Sequence, residues 1–467
     1  MQRGAPKIEP PRAKPLHAIA PDPEAVRAAQ RVIADLFGPT SEREFAVRYW
    51  DGTTEQPAGR RPPFSLEIRH PAALRRMLLP PTELSIAEAY IRGDIDVGGD
   101  IERAANLGDV VMRRIGSVRH ALAVLRHVLA LPSSRSRKRA NPSRGARGAR
   151  AARWMIRFGR EHSAPRDAHA VRFHYDIGND FYCLWLDRQM VYSCAYFARG
   201  YETLHEAQAA KLEHVCRKLR LERGERMLDI GCGWGALAIH AARHHGAKVT
   251  GITLSETQAA YARERVAREG VADRVKIEVR DYRTLDGDER FDKIASVGMV
   301  EHVGHSRLAD YFGAAFRVLA PGGLFLNHGI VNLETAKPRS MLDPLWRRIW
   351  QRDEFIQRYV FPDGRLVPAV DIIGSAEAQG FELRDVESLR EHYVETLRQW
   401  VRRLERSQAE AKALVGDATY RVWRLYMAAA AHGFNSGRIG IIQSLFAKRD
   451  ARGAVNLPRT RADLYSA

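Results

Sequence analysis

Cysteine is scarce, with four in 467 residues, at 183, 194, 216 and 232. None has the spacing of a disulfide framework or a zinc site, so a reducing compartment is expected and a structural metal is not. No apolar run approaches the roughly 18 residues of a membrane span, and the first residues, rich in Pro, Ala and Arg, lack the apolar core of a signal peptide. Internal repeats are absent too. Acid is short relative to base: 56 Asp and Glu stand against 74 Lys and Arg, a net charge of +18 and a pI near 10.0. The expectation is a cytoplasmic chain that tolerates a polyanionic neighbour, either nucleic acid or anionic lipid.

What is present suffices for large cores. With 45% hydrophobic and 28% charged residues, this length predicts two or more folded units. Residues 1–40 read as a poorly ordered, Pro-rich segment, apart from a helix over 23–36. Residues 41–131 carry strand-like runs at 44–49 and 64–68 followed by helical segments, which predicts a small α+β domain. An arginine-rich linker follows at 132–150. It belongs to a longer basic stretch in which Arg135, Arg137, Lys138, Arg139, Arg144, Arg147, Arg150, Arg153 and Arg157 stand with no acid among them. One flank, 110–131, is an amphipathic helical pattern carrying Arg113, Arg114, Arg119 and Arg126. The other sets Trp154, Met155, Ile156 and Phe158 beside arginines. Such segments suit a lipid headgroup interface, whereas a solvated linker between core helices explains the same composition. Both readings stay open.

From 151 to 467 strands and helices alternate. Strands are expected at 226–230, 248–254, 275–279, 291–297 and 324–331, with a last run at 438–446, and helices at 236–245, 255–269 and 306–319. That order predicts a doubly wound parallel α/β sheet, with ligands beyond the carboxyl ends of its strands. At the first of those ends lies Met227-Leu-Asp-Ile-Gly-Cys-Gly-Trp-Gly235. Glycines at 231, 233 and 235 let the backbone turn sharply and approach a ligand, Asp229 supplies a carboxylate beside the gap, and the following helix aims its free N–H groups back at it. The spacing is G-x-G-x-G, and the second strand ends in Thr-Leu-Ser, without the acid of a dinucleotide site. Thr253 and Gln258 are then the polar groups able to reach a ribose, which favours a sulfonium nucleoside.

Seven ordered motifs carry a wider resemblance: His174-Tyr-Asp-Ile-Gly-Asn-Asp180, Tyr192-Ser-Cys-Ala-Tyr-Phe197, the glycine turn, Thr253-Leu-Ser-Glu-Thr-Gln258, Asp281-Tyr-Arg283, Gly298-Met-Val-Glu-His-Val-Gly304 and Asn327-His-Gly-Ile330. In these the chain resembles the cyclopropane-fatty-acyl-phospholipid synthases, class I S-adenosylmethionine-dependent methyltransferases with a Rossmann-like sheet and helical insertions. Residues 40–130 resemble, more loosely, the N-terminal domain of the bacterial phospholipid enzymes, which the mycolic-acid synthases lack. The resemblance implies that an unsaturated phospholipid at an anionic membrane surface is the partner, reached by peripheral association with the inner face, and that nucleic acid is not. A homodimer is an expectation left open.

The resemblance also implies roles. Tyr192, Ser193, Asp229, Gly231, Gly233, Gly235, Thr253, Leu254, Gln258, Tyr282 and His302 would bind S-adenosylmethionine, with His174 and Tyr175 in the segment closing over it. Methyl transfer to an alkene creates a carbocation, which aromatic faces stabilise and water would trap; Tyr192, Tyr196, Phe197, Tyr393 and Trp400 are the available rings. Ring closure then needs a base. In the resembled family that base is a bicarbonate held by residues corresponding to Cys194, Glu301, His328 and Tyr393. Each has a bland reading as core or cap, and only their joint occurrence in the motifs favours chemistry. Ala430 stands where many relatives have a cysteine, which removes any covalent role for that position, and Arg283 fits the phospholipid branch. Competing expectations are a methylene- or methyl-branching fatty-acyl methyltransferase, a nucleic-acid methyltransferase and a non-catalytic polybasic binder.

Overall fold

The computed structural model describes residues 22–59, 61–114, 118–133, 166, 174–175, 177–333, 354–362, 364–455 and 457–465. The basic stretch from Arg135 to Arg157, its flank at 154–158, residues 1–21 and the Arg113 side chain lie outside them. The chain divides into two compact units, Met1–Arg137 and Lys138–Ala467.

In the first unit Asp22 caps the helix Pro23–Phe37, its Oδ1 accepting from the amides of Glu24 and Ala25 at 3.0 and 3.2 Å, with proline at the first helical position. Val26, Ala29, Ile33 and Leu36 repeat at helical spacing and are buried. The sheet has the order β2-β1-β3-β4, with β1 Ala46–Arg48, β2 Thr54–Glu55, β3 Phe64–Ile68 and β4 Ile95–Gly99. β1 and β3 run parallel, while β2 and β4 are antiparallel to their neighbours. Phe37, Phe45 and Phe64 meet in its core, with ring centroids 5.3 and 5.1 Å apart. The stretch read as one helix over 110–131 forms two, Leu107–Arg114 and Val118–Ala130. On the second, Val124 and Val128 are buried, whereas Leu122, Leu125 and Leu129 are exposed.

The second unit is built on an eight-stranded sheet. Its path is β11-β12-β9-β8-β5-β6-β7, with β10 pairing β9. The strands are β5 Arg226–Ile230, β6 Lys248–Thr253, β7 Val275–Val279, β8 Phe291–Val297, β9 Leu319–Asn332, β10 Val367–Pro368, β11 Glu382–Ser388 and β12 Ile439–Ala447. β5 to β9 are mutually parallel; β5 and β8 are buried on both faces, whereas the edge strand β7 exposes Lys276 and Val279. On one face Leu204–Leu219, Ala236–His244 and Glu256–Arg268 bury Leu212, Val215, Ala238, Ala241 and Ala262. On the other Leu308–Val318 and Ala369–Ala378 pack around Phe312, Phe325, Phe381 and Phe446.

The expected doubly wound α/β sheet is present, and one of its edges departs from the parallel arrangement. β12 is antiparallel to both β9 and β11, so the edge is mixed. β11 was not foreseen, because Glu-Leu-Arg-Asp-Val-Glu-Ser at a sheet edge carries charges and offers no apolar run. β9 starts at Leu319, five residues before the expected strand at 324–331; within that extension Gly322 has φ 79° and the register against β8 slips.

Candidate active site

The carboxyl ends of β5, β6 and β8 surround one cavity. Gly231, Gly233 and Gly235 all have positive φ, at 81°, 54° and 81°, and the amides of Gly231 and Cys232 donate to Ile252 O at 2.9 and 3.0 Å, which locks the turn onto β6. Ten of the eleven residues expected to bind the nucleoside line this cavity: Tyr192, Ser193, Asp229, Gly231, Gly233, Thr253, Leu254, Gln258, Tyr282 and His302. Gly235 does not. A Cβ there would sit 3.1 Å from Ala262 Cβ, so its task is close approach of the turn to the helix Glu256–Arg268.

The second strand's end builds its own support. Ser255 caps that helix by accepting from Gln258 N, and the Thr253 hydroxyl donates to Gln258 Oε1 at 3.0 Å, which leaves the Gln258 amide nitrogen beside Gly233. Asp229 is buried, its Oδ2 without a partner, and burial pushes its carboxyl up to about 7 against the opposing pull of Lys211. Lys211 is a residue that the sequence reading missed. It lines the cavity, donates to Ser193 Oγ at 3.0 Å, and burial brings its ammonium down to about 8. Gln208 donates to Ser193 O at 2.8 Å from the same helix. Trp234, also on the wall, donates to Asn179 Oδ1 at 2.8 Å, and Arg265 donates to Gln189 O and Trp234 O, tying the turn to two preceding segments.

Cys194, Glu301, His328 and Tyr393 lie outside that lining; Cys194, His328 and Tyr393 are buried in the interior and Glu301 is half-buried. Glu301 belongs to the short helix Val300–Val303, and its Oε1 accepts from Ile330 N at 2.7 Å. Its Oε2 is buried without a hydrogen bond, and burial raises the carboxyl to about 7. It therefore does not serve as a cap for the helix that follows. His328 on β9 is fully buried, and Gln443 on β12 donates from Nε2 to its Nδ1 at 3.0 Å. With the amide in that orientation the neutral ring carries its proton on Nε2, which has no acceptor. Desolvation holds the imidazole neutral, well below its ordinary range. The Cys194 thiol approaches Ala195 O and Leu389 O at 3.3 and 3.7 Å, and burial keeps it protonated. Tyr393 is neutral for the same reason, and both Cys194 and Glu301 are near enough to add to that rise.

Rings enclose this interior. His174 stacks on Phe361 at 4.2 Å and on Tyr192 at 5.6 Å, Tyr192 meets Trp400 at 5.2 Å, and Tyr393 meets Phe434 at 4.7 Å. Trp185, Trp423 and Tyr426 complete the group and were missed. A signal existed in 421–426, where Trp423 and Tyr426 are three apart on one helix face. Tyr196 and Phe197 were expected here and are elsewhere. Tyr196 is sandwiched between His214 and His392 at 4.3 and 5.0 Å, and Phe197 leans on His392, because the Phe197 amide donates to the His392 ring.

A family model described as mycolic acid cyclopropane synthetase matches residues 162–444, and one for a domain of unknown function matches 32–108. A "Probable fatty acid methyltransferase" of Pseudomonas putida is 40% identical over 419 residues, covering 90% of this chain and 95% of its own. One of the same description from Mycobacterium tuberculosis is 34% identical over 444 residues, covering 92% and 97%. Among solved structures, a mycolic acid cyclopropane synthase complexed with SAH and CTAB superposes with a TM-score of 0.57 at 34% identity, over 60% of this chain and 98% of that one.

Proposed function

We propose, for a chain that belongs to the mycolic acid cyclopropane synthetase family, that it transfers a methylene group from S-adenosylmethionine to the cis double bond of an unsaturated phospholipid acyl chain. The product is a cyclopropane ring. The observation that carries this reading past methyl transfer in general is the pair of buried unmatched atoms, Glu301 Oε2 and His328 Nε2, with Glu301 held through Oε1 to Ile330 N on β9 and His328 two residues earlier on that strand.

S-adenosylmethionine supplies an electrophilic methyl group on a sulfonium. The glycine turn, Thr253 and Gln258 would hold its nucleoside, with Asp229 offering the carboxylate. Rings of Tyr192, Tyr393, Trp400 and Trp423 keep water out and turn their negative faces toward a chain that becomes cationic. Cys194, His328 and Tyr393 are three neutral donors, and Glu301 is a carboxyl able to hold or release a proton near neutrality. Those groups fit a small oxyanion, and with it in place a bicarbonate would supply a compact base. Glu301 is the final acceptor of the proton lost on ring closure.

Support for a fatty-acyl lipid comes from the relatives that match about nine-tenths of this chain, including its first unit. On that unit the exposed Leu122, Leu125 and Leu129 lie on one helix with the exposed Arg119 and Arg126, a pattern suited to an anionic bilayer surface at the cytoplasmic face. No helix of the described residues is long and apolar enough to cross a membrane.

The test incubates the protein with S-adenosylmethionine and vesicles of unsaturated phospholipid, varies anionic lipid and salt, and examines the acyl chains by NMR. Cyclopropane ring protons are expected. Unmodified lipid overturns the reading, and activity indifferent to anionic lipid removes only the surface contact. The relatives' description as fatty acid methyltransferases favours a second reading, methyl or methylene branching without ring closure. The same spectra distinguish it.

A further inference from the structure

The helix Leu204–Leu219 and the helix Ala236–His244, with its capping residue His245, bring together Cys216, His240 and His245. One ligand atom of each lies within 4.8 Å of the others. Glu213 stands three residues before Cys216. Its Oε2 is 3.1 Å from His240 Nε2 and 3.0 Å from His245 Nε2, while Oε1 accepts from Arg217 Nε at 3.0 Å. The proposed reaction uses none of these groups. Cys216 is wholly buried, whereas the side chains of His240, His245 and Glu213 are 11%, 18% and 34% exposed. The cluster is closed at the thiol and open to water at the carboxylate.

We infer that this cluster is a site for a zinc-like divalent cation, ligated by the Cys216 thiolate and the His240 and His245 imidazoles with a water as the fourth donor, and that the Glu213 carboxylate orients the two rings. Thiolate with imidazole selects zinc and its neighbours over magnesium or calcium, which want oxygen. Bonds of about 2.0–2.3 Å place tetrahedral donors roughly 3.3–3.8 Å apart, so the widest present spacing must close by about 1 Å. Rotation of the two partly exposed histidine side chains would supply that closure. Glu213 already turns both rings toward one point, as carboxylates beside metal-bound histidines do. On binding, the thiol proton passes to solvent. The bland alternative is a carboxylate that merely satisfies two histidines and Arg217 beside a thiol packed as a small core residue.

Spacing along the chain hid the site, because its ligands come from two helices with no Cys-x-x-Cys pattern. Its position gives it a consequence. The first helix also carries Lys211 and Gln208 against Ser193, and the second begins at Gly235, so a cation here would pin the two helices that back the nucleoside cavity.

The full chain, stripped with a chelator, is titrated with Co²⁺ and then Zn²⁺. Expected are one equivalent of bound Co²⁺ with a thiolate-to-cobalt charge-transfer band, its loss on adding Zn²⁺, and a Zn²⁺-dependent rise in Tm. Cys216→Ser should abolish the band and the Tm rise, and His240→Gln with His245→Gln should weaken Zn²⁺ at least about tenfold. Circular dichroism confirms that the variants fold. Absence of the band in the unaltered protein overturns the inference, as does a Cys216→Ser protein that folds and binds Zn²⁺ with unchanged affinity. Neither outcome bears on lipid modification.

Discussion

The nucleoside cavity and the buried interior around Glu301 are neighbours built on opposite principles. The cavity is made by backbone: three glycines at positive φ, two amides tied to Ile252 O, and a capped helix, drawn largely from 229–258. The interior is made by side chains from places far apart in the chain, Cys194, Glu301, His328 and Tyr393, with unmatched polar atoms left among them. The first keeps its shape through main-chain bonds, with Asp229 Oδ2 left unmatched inside it. The second is poised for a partner, since a buried polar atom without a hydrogen bond costs roughly 1–3 kcal/mol.

That contrast predicts that the two can be broken separately. The largest effect is expected from Glu301→Gln, which should leave S-adenosylmethionine affinity intact while cutting turnover by about 10²–10⁴-fold; binding by calorimetry with single-turnover assays reads both, and undiminished turnover would refute the role of proton acceptor. Next comes Gln443→Leu, which removes the donor fixing His328. Loss of one buried hydrogen bond, roughly 1–3 kcal/mol, translates to about 10–100-fold in turnover, again with cofactor affinity unchanged. Gly235→Val should do the reverse. A β-branched residue at φ 81°, already 3.1 Å from Ala262, costs about 1–2 kcal/mol or more, seen as a lower Tm and weaker cofactor binding.

The smallest effects are pH profiles. Glu301 and Asp229, both raised to about 7 by burial, keep protons in the folded protein that the unfolded chain loses near their ordinary values of 4.5 and 3.8. Stability should therefore fall as pH rises through that window and level off above 7. Turnover should rise through about pH 7 as Glu301 becomes able to accept a proton. Cofactor affinity should rise over the same range as Asp229 ionises to meet a cationic sulfonium, and Asp229→Asn should flatten that rise alone. A cofactor-affinity profile that Glu301→Gln flattens instead would erase the distinction between the two regions.

The two regions also differ in how legible they were. The strands β5, β7 and β8 could be read to the residue, because apolar runs between glycines and turn residues are local signals. The cavity was legible in part: ten of eleven expected residues line one space, while Gly235 does not and Lys211 was missed. Helix packing brings Lys211 to the site and no local motif marks it, and the shared helix face of Trp423 and Tyr426 does not say what that face meets. Tyr196 and Phe197 were misplaced because their partners, His214 and His392, lie outside the motif that contains them. β12 could be seen as a strand, but its direction depends on a pairing with β9 that no window of sequence contains.

That pairing fixes when the site comes into being. Gln443 and His328 are separated by 115 positions, and β12 is the final strand of the sheet. A chain emerging from the ribosome can assemble β5 to β9 and the glycine turn while the orienting amide is still unsynthesised. Cofactor recognition can thus precede the histidine's alignment during biosynthesis, so truncation before Ile439 should yield a protein with the turn in place and the proton chemistry unset.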